Sequence, residues 1–176
     1  MGVKTASEMN ESVQLDLSGL PPGMYRIYAA DRWGQISTGH SVAVVPADVQ
    51  MVDDSDPWVL YEGNWTLFAS SNYYGGSLML SQRRGDYVDI PFYGKRAQLL
   101  GTLNLSKGKA DVYVDGEYKE TIDQFRSGGT QYQSVFYDTG LLPEDLHVIR
   151  LVVKGERSDD AVNTQVTFDA LRILDQ

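Results

Sequence analysis

The chain has 176 residues, 42% of them hydrophobic, no cysteine and a formal net charge of −9. That length carries one large sandwich or a domain plus a fragment, and the apolar share excludes wholesale disorder. The acidic balance excludes a general nucleic-acid binder and a partner of anionic membranes, and the missing thiols exclude disulfides and thiolate metal sites.

Residues 1–11 are polar. Met1-Gly-Val-Lys-Thr5 has no apolar core of the kind a signal peptide needs. Either the mature start lies within a longer, trimmed chain, or export does not follow that route. No run is long and apolar enough to span a membrane. Ser12–Ser18 alternates, with Val13, Leu15 and Leu17 inward, and predicts a strand. A turn at Gly19–Gly23, a strand over Met24–Ala30, a turn at Asp31–Gly34 and a strand over His40–Val45 follow. This segment resembles the last three strands of an immunoglobulin-like or fibronectin-III-like module. In such modules a tyrosine after the corner ties its hydroxyl to nearby backbone, a role that fits Tyr25. The front half of such a sandwich is missing, and three strands with one apolar face are marginal alone. Residues 12–45 are therefore expected to pack on the second domain, on another chain or on further sequence.

Residues 47–57 read as a linker, solvated by Asp48, Asp53, Asp54 and Asp56. Hard oxygen ligands at Asp53, Asp54 and Asp56 would suit a structural calcium ion. The stretch lacks the glycine and the closing glutamate of an EF-hand loop.

Residues 58–176 read as one all-β domain. Short strands are expected at Trp58–Tyr61, Trp65–Phe68 and Ser77–Leu80, with a loop at Tyr73–Gly76. Asp86–Tyr118 reads as three strands and two turns of a sheet on which the other strands build. Val88, Ile90 and Phe92 lie on one face, and Tyr87, Asp89, Pro91 and Tyr93 on the other. Asp115-Gly116 marks a tight hairpin. Further strands are expected at Tyr118–Ile122, Tyr132–Tyr137, His147–Val153 and Thr164–Leu174. With no amphipathic helical window, the fold class is all-β, an antiparallel β-sandwich or jelly roll.

The order of Trp58, Gly63-Asn-Trp65, Tyr74-Gly-Gly-Ser77, Gly85–Gly94, Val112–Gly116, Gly140–His147 and Phe168–Ile173 resembles the galactose-binding-like jelly-roll modules appended to many bacterial glycoside hydrolases and surface proteins. The resemblance implies a non-catalytic carbohydrate-binding module of a secreted or cell-surface protein. Such modules also include protein binders and plain spacers. Lys95, beside Tyr93, departs from the family by placing a large side chain where a small one is usual.

Catalysis is poorly supplied. There are two histidines, His40 and His147, no Gly-x-Ser-x-Gly elbow, and no P-loop, dinucleotide or metal motif. Carboxylates are plentiful but sit in no recognisable catalytic context. His147 reads as structural, and Trp58 and Trp65 as core. Sugars stack on aromatic rings and are oriented by polar groups. The candidate ligand contacts are therefore Tyr73, Tyr74, Arg84, Tyr93, Tyr118 and Tyr132, with a glycan as the partner. Trp33 is the tryptophan expected at the surface. The alternative is a structural or adhesive component of a phage particle (tail, baseplate or capsid decoration) that docks on a neighbour through residues 12–45, with a virion rather than the cell surface as its location.

Overall fold

The computed structural model describes residues 17, 19–28, 35 and 40–174. The strand expected at 12–18, apart from Leu17, and the Trp33 turn lie outside the described residues. Fourteen strands are present among those described: β1 Gly23–Ile27, β2 His40–Val44, β3 Met51–Asp53, β4 Leu60–Glu62, β5 Thr66–Ala69, β6 Ser77–Ser81, β7 Tyr87–Gly94, β8 Ala97–Leu103, β9 Lys109–Val114, β10 Glu117–Asp123, β11 Gln131–Asp138, β12 Asp145–Val153, β13 Val166–Phe168 and β14 Ala170–Ile173.

One layer of the sandwich is a five-stranded sheet in the order β10-β9-β12-β7-β4. Facing it are a four-stranded sheet, β11-β8-β14-β3, and a three-stranded sheet, β13-β6-β5. All pairings between named strands are antiparallel. The period-two pattern explains the arrangement. Val88, Ile90 and Phe92 of β7, Val112 and Val114 of β9, and Ile149 and Leu151 of β12 point inward. They pack with Leu99, Phe168, Leu171 and Val52 of the opposite layer in one core cluster.

The central stretch is organised differently from the single sheet that its sequence suggests. β7 and β9 lie in the five-stranded sheet, and β8 lies in the other layer. The chain arches over the core at Gly94-Lys95 instead of forming a hairpin. Facing strands can bury both apolar faces against each other, whereas neighbouring strands leave that burial to a second layer. The hairpin at Asp115-Gly116 forms as expected. Glu117 pairs with Val114, and φ is 53° at Asp115 and 80° at Gly116. Positive φ at both turn residues matches the twist of the flanking strands.

The linker reading of 47–57 needs correction. Met51–Asp53 is the edge strand β3, paired with β14 through Asp53–Ala170 and Val52–Leu171. Val52 is fully buried and Asp54 is buried too. Val52 supplies apolar area that outweighs the preference of the flanking aspartates for water. The strand expected over 164–174 is broken at Asp169, so that β13 pairs with β6 while β14 pairs with β8 and β3.

At the N-terminal side, β1 and β2 form a two-stranded sheet. The Tyr25 hydroxyl donates to the Pro21 carbonyl at 2.6 Å, the corner bond expected for it. Ala43, Val45 and Val49 pack against the sandwich core, so the C-terminal part of the 12–45 segment leans on the jelly roll.

His147 clamps one end of the five-stranded sheet. Its Nδ1 lies 2.7 Å from Asp115 Oδ2 and its Nε2 2.9 Å from the Pro143 carbonyl. Both partners accept, so the ring holds both protons in this geometry. Burial pulls its pKa down. The Pro143 and Asp115 hydrogen bonds and the charges of Asp115 and Asp145 outweigh that, and the net shift is upward. A raised histidine pKa contributes stability that is complete below the ordinary value of 6.5. That stability is lost as pH rises through the folded value. His147→Gln should cost about 1.5 to 3 kcal/mol at acidic pH, the range for hydrogen bonds to a charged group. The variant should also flatten the fall of melting temperature as pH rises above the ordinary histidine value of 6.5. Parallel pH curves for the two proteins would refute the charged clamp.

Candidate functional site

The six sequence-predicted contacts separate into four places. Tyr73, Tyr74 and Tyr132 meet at one rim of the sandwich. Tyr118 stands on the outer face of the five-stranded sheet, where its ring meets Tyr113 edge-on at 5.6 Å. Arg84 lines a shallow cleft of about 120 Å³ with Asp111, Lys154 and Glu156. Tyr93 lines a cleft of about 440 Å³ beside the 47–50 segment, with Lys95, Glu144 and Asp48. Lys95 is ion-paired there with Glu144 at 2.9 Å.

The rim is built from the loop between β5 and β6. Ser70 accepts from the Tyr73 N–H, and Tyr74–Gly76 makes a single 3-10 turn. Tyr73 and Tyr132 meet edge-to-face, with ring centroids 5.7 Å apart and planes at 66°. The Gln133 side chain donates to the Asn72 carbonyl at 3.0 Å, which ties β11 to the loop. Tyr132 is 43% exposed and Tyr73 half-buried. Burial raises the Tyr73 hydroxyl pKa, helped by Tyr132 and Asp169, so the ring enters any contact as a neutral phenol.

Beneath this loop lies a cluster of carboxylates. Asp169, fully buried at the break between β13 and β14, accepts the Tyr74 N–H at 2.9 Å. Asp54 accepts the Ser77 hydroxyl at 2.9 Å. Gly75 lies directly against Asp53. A Cβ at Gly75 would fall 2.5 Å from Asp53 Oδ1, and its φ is +60°, so glycine is required on both counts. Burial pushes the Asp54 carboxyl up to about 6, with the Ser77 hydrogen bond opposing and Asp53 adding. Burial likewise pushes Asp169 up to about 7, with the Tyr74 N–H opposing and the charges of Asp54 and Asp53 adding. Asp53 Oδ1, Asp54 Oδ2 and Asp169 Oδ2 are all buried without a hydrogen-bond partner.

Three orphaned carboxylate oxygens in one place call for positive charge. A proton supplies it at the raised pKa, and a hard divalent cation supplies it through oxygen ligands. Among the described residues no group of three or more His, Cys, Asp or Glu is already arranged to hold a metal ion, so these side chains would turn to meet one. Asp56, the third residue of the sequence-based calcium reading, does something else: its Oδ2 accepts the Asp53 N–H at 2.8 Å and caps the turn. Asp169 was missed as a partner. Its signal was an aspartate inside the apolar run Val166–Ile173, where a charge needs a reason to be buried.

No family model matches the chain. A family 35 carbohydrate binding module from Clostridium thermocellum superposes on it with a TM-score of 0.50 at 13% identity, over 70% of this chain and 96% of that module. The chain shares the antiparallel β-sandwich fold of that module. The chain is also similar to parts of two proteins of Flavonifractor plautii. It is 34% identical over 113 residues to an A type blood alpha-D-galactosamine galactosaminidase, a match covering 64% of this chain and 10% of that enzyme. It is 27% identical over 110 residues to an A type blood N-acetyl-alpha-D-galactosamine deacetylase, covering 62% of this chain and 14% of that enzyme. The chain thus spans about a tenth to a seventh of the length of these relatives. No helix among the described residues is long and apolar enough to cross a membrane.

Proposed function

We propose that this chain is a non-catalytic glycan-binding domain of an exported carbohydrate-active or cell-surface protein, and that the Tyr73–Tyr132 rim holds the sugar. The observation that carries this reading is the similarity of this chain to parts of two relatives with different named reactions. A galactosaminidase and a deacetylase have different chemistry, and the glycan they act on is what their names have in common. Similarity that accompanies the substrate rather than one reaction supports a binding role over a catalytic one. The edge-to-face tyrosine pair supports the rim as the contact, because it offers a rigid apolar ring with a hydroxyl tip and little rotamer freedom to lose. Tyr74 is anchored to Asp169 and positions the loop. Arg84 and Tyr93 lie in other clefts and form no part of this contact.

The first ligands to test are A-type oligosaccharides ending in α-linked galactosamine or N-acetylgalactosamine, measured by titration calorimetry beside a broad glycan array. Tyr73→Ala/Tyr132→Ala should weaken binding at least tenfold, about 1.4 kcal/mol or more, with the melting temperature little changed. Undiminished binding in that variant would move the site away from the rim. An array without a single bound glycan would sink the function.

A further inference from the structure

On the outer face of the five-stranded sheet, one row of side chains crosses all five strands. Register pairs Leu60 of β4 with Asp89 of β7, Asp89 with Arg150 of β12, Arg150 with Tyr113 of β9, and Tyr113 with Tyr118 of β10. Four strand spacings make this row about 19 Å long. At its centre is a groove of about 530 Å³ whose lining includes Tyr87, Asp89, Tyr113, Val148, Arg150 and Val152. Its apolar walls come from the two valines and the two tyrosine rings.

The polar groups in the groove are held rigidly. Arg150 Nε and Nη2 donate to the two oxygens of Asp89 at 2.7 and 2.8 Å. The guanidinium lies 4.1 Å from the centre of the Tyr87 ring. A fork fixed by a bidentate pair and an aromatic face loses little freedom on binding. The Asp89 pair uses two of its five N–H donors and leaves three for a ligand. Tyr113 is propped edge-on by Tyr118 at 5.6 Å. Among the described residues the charged groups lining the groove are Asp89 and Arg150, which neutralise each other.

An outward sheet face that serves only as a solvated surface carries scattered charges. This one carries aromatic rings, a fixed fork of donors and acceptors, and balanced charge in a line running across the strands. We propose that it is a second glycan-binding surface, separate from the rim, that takes a neutral polysaccharide laid across the sheet. Tyr113 stacks on a sugar ring, and the Arg150–Asp89 pair bonds to its hydroxyls. Charge balance disfavours an acidic chain, because a uronate would meet Asp89 as well as Arg150. The inference rests on the reading of the chain as a glycan binder but uses different residues.

Affinity electrophoresis of the chain in gels containing galactan, mannan, xylan or mixed-linkage glucan, with polygalacturonate as the acidic control, tests it. Two face variants are compared with the rim variant Tyr73→Ala/Tyr132→Ala. Tyr113→Ala removes the ring, and Val148→Arg fills the groove without removing any of its hydrogen bonds; melting curves show that each is folded. The expected result is retardation by at least one neutral polysaccharide, weakened at least tenfold in both face variants and retained in the rim variant. Folded face variants that bind like the unmodified chain would overturn this inference and leave the rim reading intact. Retardation by polygalacturonate alone would overturn the neutral-ligand assignment. Absence of binding to every polysaccharide and oligosaccharide, in every version, would overturn both readings together.

Discussion

Phe168→Ala should lower the free energy of unfolding by about 3 to 5 kcal/mol, the range for truncating a buried aromatic to a methyl group. Phe168 is completely buried and belongs to the main core cluster. It ends β13, where the chain leaves the three-stranded sheet and enters the four-stranded one. The residues around it are tied to two different sheets, so the cavity cannot collapse by moving one strand. Thr167 on its N-terminal side is held by the fully buried Gln124, whose Oε1 accepts the Thr167 N–H at 2.8 Å. Asp169 on its other side donates its N–H to the Leu100 carbonyl. Against a typical domain stability of about 5 to 15 kcal/mol, such a loss is a large fraction of the whole. Urea unfolding reads it as a drop in midpoint at unchanged slope. Leu105→Ala, at a site 43% exposed, is the control and should change stability by about 0.5 kcal/mol or less. A loss at Phe168 no larger than at Leu105 would mean that the two layers do not meet there.

Calcium should raise the melting temperature at pH 8. At a hundredfold excess over its dissociation constant, an ion that binds only the folded state adds about 2.7 kcal/mol. For a chain of this length that corresponds to about 5 to 10 °C. The candidate site is the carboxylate cluster of Asp53, Asp54 and Asp169, with its three buried oxygens lacking partners. Above the raised pKa values of Asp54 and Asp169 the charged forms sit in a buried site and repel one another. The cation offsets that cost. Asp169→Asn keeps an acceptor for the Tyr74 N–H while removing one charge. It should raise the metal-free melting temperature and abolish most of the calcium response. Scanning calorimetry with calcium and with chelator reads both effects. If calcium and chelator leave the melting temperature unchanged while Asp169→Asn still stabilises, protons alone relieve the cluster. The same variant reports on the rim, because Asp169 holds the loop that carries Tyr73.

Several features of this protein were legible in its sequence. The strand expected over His147–Val153 lies within β12, and the alternation of Val88, Ile90 and Phe92 with Tyr87, Asp89 and Tyr93 sorts the two faces of β7, although Pro91, expected on the outer face, is buried. The Asp115-Gly116 turn and the Tyr25 corner are set by the steric freedom or reach of a few neighbouring residues. Each of these is a local property, so a short window suffices to read it. The tertiary structure decided the rest. Whether β8 lies beside β7 or across the core from it does not change the alternation of either strand. Only the total apolar area buried by the whole chain selects the arch. Asp53 and Asp54 read as solvated because their neighbours in sequence are polar. Asp54 is buried and Asp53 half-buried because β3 pairs with β14 at the far end of the chain and brings Asp169 to them. Tyr73 meets Tyr132, and Arg150 meets Asp89 and Tyr113, through pairings and packing between strands remote in sequence. The sequence by itself therefore determined which side chains face inward and where the chain turns, because periodicity and turn sterics act over a few residues. Which carboxylates, rings and guanidinium share a site was decided only in three dimensions, because strand pairing and layer packing are non-local and leave no periodic trace.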